Sequence, residues 1–115
     1  RYSRGAWIRV KTDTPTQTST ALKEYLEGKG FTVDIRPLQP KVIEVDPLKD
    51  VTLFVEQEKL DDDALRLVGG YLDSAREYLA TTGKSQMFIS NPKTDDSLLK
   101  FAPNTLSRSH LFTLK

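Results

Sequence analysis

The sequence predicts an α+β fold, a two-layer sandwich whose mixed or antiparallel sheet carries two helices on one face. Three observations lead there. Short runs alternate apolar and polar residues, two longer stretches place apolar residues at helical spacing, and some strands are joined by turns too short to hold a helix. The expected order is βαββ(β)αβ, ferredoxin-like. The alternative is a small three-layer, flavodoxin-like α/β sheet with one crossover helix missing. Residues 1–90 are expected to form a single domain. Residues 91–115 are expected to be a C-terminal extension or arm, packing on that domain or on a partner.

The elements follow in order. "AWIRVK" (6–11) alternates Ala6, Ile8 and Val10 with Trp7, Arg9 and Lys11, the pattern of a half-buried strand. "TDTPTQTST" (12–20) is polar and holds Pro15, so it reads as a loop. Thr18 or Ser19 then caps a helix whose stripe is Ala21, Leu22, Tyr25 and Leu26, and Gly28-Lys29-Gly30 ends it. "FTVDIR" (31–36) and "KVIEV" (41–45) read as strands separated by "PLQP". "VTLFVEQ" (51–57), rich in β-branched and aromatic residues, is the strongest strand. Residues 60–83 carry a helical stripe from Ala64 to Leu79, with Asp61, Asp62 and Asp63 in the first turn, where the macrodipole favours negative charge. Gly69-Gly70 within it predicts a kink or a close backbone contact. "QMFIS" (86–90) is a short strand. Residues 91–105 read as a loop with one helical turn from Asp95 to Phe101, and "SHLFTLK" (109–115) as a last strand.

Composition excludes some chemistry. The chain of 115 residues has no cysteine, so it has neither disulfides nor thiolate metal sites. It has no N-x-S/T sequon, and no apolar run long enough to span a membrane. An intracellular, membrane-free setting is the expectation. The chain opens at Arg1 rather than Met, which points to a trimmed, processed or partial chain. The net charge is +1 but unevenly spread: residues 1–43 hold eight Lys/Arg against four Asp/Glu, residues 44–77 four against ten, and residues 78–115 five against two. Basic ends flank an acidic middle.

Gly83-Lys84-Ser85 looks like the end of a phosphate-binding loop, but G-x-x-x-x-G-K-[ST] needs a strand before it and a helix after it. Here Tyr78 stands at the first-glycine position and the order is helix then strand, so the tripeptide is read as a helix stop. His110 is the sole histidine. Successive helix residues diverge by about 100°, so three aspartates in a row cannot converge on one ion. No metal site, catalytic constellation or cofactor is expected.

Three surface features remain. Trp7, Arg9 and Lys11 share one strand face, an aromatic beside two cations, which suits a protein interface or a nucleic-acid face. Lys11, Thr16, Thr18, Ser19 and Thr20 surround a helix start and form a candidate anion site. Leu98, Leu99, Phe101, Arg108, Leu111 and Phe112 are the anchors of the C-terminal arm. The expected function is a non-catalytic interaction or assembly module with a protein partner. The alternatives are RNA or DNA binding through the Trp7 face, and a small-anion-binding domain or unrecognised enzyme at loop 11–20.

Overall fold

The computed structural model describes residues 7–39, 48–70, 84–101 and 110–113, with the backbone alone for Trp7 and for residues 110–113. In chain order the elements are β1 (Trp7–Lys11), α1 (Pro15–Gly28), β2 (Val33–Pro37), β3 (Val51–Val55), α2 (62–70), β4 (Ser85–Ser90), α3 (Pro92–Phe101) and β5 (His110–Thr113). The strands form one five-stranded sheet in the order β2-β3-β4-β1-β5, and every neighbouring pair is parallel.

This corrects the fold class. The sheet is parallel, neither mixed nor antiparallel, and helices cover both faces instead of one. The antiparallel expectation rested on a strand at 41–45 that divided one connection into two short turns. Residues 41–45 lie outside the described residues, but β2 pairs directly with β3 in parallel. The connection between them, residues 38–50, meets the dozen or so residues that a parallel crossover requires. The three-layer alternative fits this architecture. Its strand order has β1 between β4 and β5.

The layers follow from strand periodicity and crossover handedness. Val10, Val33, Val51, Leu53, Val55 and Ile89 form one buried cluster, packed by Leu22 and Leu26 of α1. Phe54, Phe88 and Leu38 form the other, with Leu65 and Val68 of α2 and Leu98 of α3. Phe54 and Phe88 are register partners whose rings stack at 5.4 Å. The β1–β2 crossover runs across the sheet in one direction, whereas β3–β4 and β4–β5 run in the other. Right-handed crossovers running in opposite directions place their helices on opposite faces. β3 is buried along its whole length, as expected of a strand covered on both sides.

Two helix starts differ from expectation. α1 begins at Pro15, because proline fits the first helical turn, where its missing N–H has no intrahelical role. α3 is a full helix where one turn was expected: Asn91 caps it, with Oδ1 accepting from Thr94 N–H at 3.0 Å, and Pro92 opens it. Asp61 caps α2 in the same way, accepting from Ala64 N–H at 2.8 Å. Residues 71–83, including Gly83, lie outside the described residues. Ser85 opens a strand, not a helix.

Candidate functional site

In an open parallel sheet, ligands bind beyond the carboxyl ends of the strands, where adjacent connections leave toward opposite faces. Here that point lies between β1 and β4. α1 leaves β1 toward one face, and α3 leaves β4 toward the other. A crevice of about 460 Å³ opens at this edge. It is lined by Asp13 and Pro15 after β1, by Glu56 to Leu60 after β3, by Asp62 and Leu65 of α2, and by Asn91, Lys93, Thr94 and Ser97 at the start of α3.

Glu56 fixes the floor. Its backbone N–H donates to Ile89 C=O at 2.9 Å, extending the β3–β4 ladder. Its side chain is nearly buried and both carboxylate oxygens are engaged: Oε1 accepts from Asn91 N–H at 2.8 Å, and Oε2 from the Thr94 hydroxyl at 2.6 Å. One carboxylate thus ties the end of β3 to the first turn of α3, at the helix end whose dipole favours negative charge.

A second tie crosses from β1. Arg9 Nη1 donates to Asp95 Oδ2 at 2.6 Å, with Arg9 only 6% and Asp95 0% exposed. Lys11 Nζ lies 3.9 Å from the same oxygen and 3.5 Å from Asp96 Oδ1. Burial pushes the Asp95 carboxyl above its ordinary range, against the opposing pull of Arg9 and Lys11. Burying Arg9 would be costly alone; Asp95 makes it tolerable.

The expected site residues separate. Arg9 lies under α3 and is not on an open face, while Lys11 points to the α3 carboxylates. The Trp7 side chain lies outside the described residues. The hydrogen bonds of the threonine-loop residues are local. Ser19 is buried and donates to Thr16 C=O at 2.7 Å, and Thr20 donates to the same carbonyl at 3.2 Å. The Thr18 hydroxyl lies 3.2 Å from that of Thr12, and Thr16 is exposed. Of the C-terminal anchors, Leu98 is fully buried, and Leu99 and Phe101 pack against the same cluster. Leu111 and Phe112 stand in β5, opposite Arg9 and Val10 of β1. Arg108 lies outside the described residues.

Sequence reasoning missed Glu56, Asn91 and Thr94. Two signals were present: an acid closing an otherwise buried strand in "VTLFVE", and Asn91-Pro92, a helix-start pair. Among the described residues no group of His, Cys, Asp or Glu is placed to hold a metal ion, and no helix is long and apolar enough to cross a membrane. Comparison with models of known protein families, with curated proteins and with solved structures finds no match to this chain.

Proposed function

We propose that this chain is a small-molecule-binding domain whose site is the crevice at the carboxyl ends of β1, β3 and β4. One observation carries the reading: a crevice of about 460 Å³ at the switch point of a parallel sheet. That volume falls in the range of small-ligand sites. Its wall mixes Leu60, Leu65 and Pro15 with free polar groups, the composition that lets a ligand be buried and oriented. An NMR-monitored ligand panel tests it. Binding should shift amides of residues 56–62 and 93–97 together, and Ser97→Trp, which fills the crevice, should abolish the shifts. Ligand-induced shifts confined to other surfaces would sink the reading.

The interaction-module reading keeps one specific support. Tyr25, Phe31, Leu48 and Leu67 are exposed, and Phe31 and Leu48 flank the Thr32–Asp50 hydrogen bonds at the amino edge of the sheet. Substituting Leu48 with Ser and measuring sedimentation of the two chains tests self-association there. Nucleic-acid binding has less support, because Arg9 and Lys11 both face the carboxylates of α3.

A further inference from the structure

Resting on the crevice reading, we infer that its ligand is a small alkylammonium compound and that Glu56 makes the site reject phosphates. In most parallel α/β sites the amino ends of helices attract an anion, because their N–H groups are unpaired and their dipoles point at the ligand. At α2 and α3 the chain already supplies those anions, whereas α1 starts with no side-chain cap and no acidic residue in its first turn. Glu56 holds the start of α3 through Asn91 N–H and the Thr94 hydroxyl, and Asp61 holds the start of α2 through Ala64 N–H. A phosphate entering beside α3 meets a carboxylate with both oxygens already in place.

The remaining charge has the same sign. Beside Glu56, Asp13, Glu58 and Asp62 line the crevice against Lys59 and Lys93, three further carboxylates to two ammonium groups. A concave wall of one net sign concentrates ligands of the other. The carboxylates are spread around the wall, and no group of them is placed to share a metal ion. An organic cation with a length of its own suits that spacing better than a point charge does. Leu60, Leu65 and Pro15 offer an apolar surface for its methylene stem, as long cationic chains lie along apolar surface while their heads stay polar.

The test is an NMR titration of the full isotope-labelled chain with 1,4-diaminobutane, inorganic phosphate and glucose in parallel. Diaminobutane should give saturable shifts at Glu58, Asp62 and Ser97. Glu58→Gln and Asp62→Asn should each weaken it about two- to fivefold, the effect of an exposed charge pair. Glu24→Gln, on the exposed side of α1, should not change it. Glu56→Gln, if still folded by its amide spectrum, should admit phosphate to the same residues. Crevice shifts with phosphate or glucose but not diaminobutane would overturn the cation assignment and leave the crevice reading standing. Diaminobutane shifts indifferent to Glu58→Gln and Asp62→Asn would also overturn it. Silence from all three probes would overturn both.

Discussion

The two faces of the sheet are both covered by helices but made of different chemistry. Under α1 the strands present Val10, Val33, Val51, Leu53, Val55 and Ile89, with Ile8, Ile35 and Met87 at the margin. On the other face the same strands present Arg9, Thr52, Phe54, Glu56, Gln86, Phe88 and Ser90, all buried. Thr52 Oγ1, Ser90 Oγ, both side-chain polar atoms of Gln86 and Asp95 Oδ1 have no hydrogen-bond partner among the described residues, and all belong to this second face. An aliphatic layer is non-directional and tolerates small shifts. A buried polar layer is costly unless its partners are correctly placed. The α1 face therefore supplies stability. The opposite face fixes where α3 sits on β1 and β3, and the crevice opens along that side.

The largest expected effect tests this division. Asp95→Ala breaks the buried pair by removing the carboxylate to which Arg9 Nη1 donates at 2.6 Å, and should cost about 3–5 kcal/mol in urea denaturation. Arg9→Met combined with Asp95→Leu should recover most of that, because replacing a whole buried pair with apolar groups is often neutral or stabilising. A double variant as unstable as Asp95→Ala would mean that the pair itself, not the breaking of one half of it, carries the energy.

Two neighbours in β3 sharpen it next. Leu53 faces α1 and Thr52 the opposite side, both fully buried or nearly so. Leu53→Ala should cost about 2–5 kcal/mol. Thr52→Val removes an unpartnered hydroxyl at almost constant shape and should fall within about 1 kcal/mol of the parent chain, on either side. Similar losses for both would erase the distinction between the faces.

The same contrast extends to pH through two carboxylates. Asp50 accepts from the Thr32 backbone N–H at 2.9 Å and from its hydroxyl at 3.0 Å, and these bonds, with Lys84 nearby, hold its carboxyl below the ordinary 3.8. Asp95 is pushed above that value by burial. The signs oppose. A lowered carboxyl contributes stability above its unfolded pKa that is lost as pH falls through the folded value. A raised one contributes stability below the unfolded pKa that is lost as pH rises through the folded value. The stability gap between the parent chain and Asp50→Asn should shrink as pH falls; the gap to Asp95→Asn should shrink as pH rises. Urea midpoints across the carboxyl range measure both, and parallel trends would refute the assignment.

How much of this was legible depends on the face. Alternation in 6–11 and 31–36 marked Val10, Val33 and Ile35 because an apolar layer repeats every second residue. The polar layer gave no such signal. Arg9 reads as solvent-facing until Asp95, far along the chain, is placed on it, and single-sequence patterning carries no information about that distant contact. Parallel pairing was obscured for a related reason: "VTLFV" is buried on both sides and shows no clean alternation, the mark of a parallel strand. The crevice was illegible as a unit, because its walls come from three separate connections that meet only once the strand order is known.

The smallest expected effect concerns the two adjacent glycines of α2, one of which lies close against the end of α3. A Cβ added at Gly69 would stand 3.0 Å from Phe101 Cβ and 3.1 Å from its carbonyl oxygen, whereas one at Gly70 would meet nothing within 4 Å. Both residues are helical, so alanine at either gains about 0.5–1 kcal/mol from reduced freedom of the unfolded chain and better helix propensity. At Gly70 that gain is unopposed, and Gly70→Ala should raise the urea midpoint by an amount within that range. At Gly69 the new methyl presses on backbone atoms of α3, which cannot rotate away. Moving α3 strains the Arg9–Asp95 and Glu56–Thr94 contacts at its other end. Gly69→Ala should therefore be destabilising, and it should shift the amide resonances of Asn91 and Thr94 although they sit at the opposite end of the helix. Equal stabilisation by both substitutions, with those two resonances unmoved, would show that α3 is free to slide and that the polar contacts do not fix it.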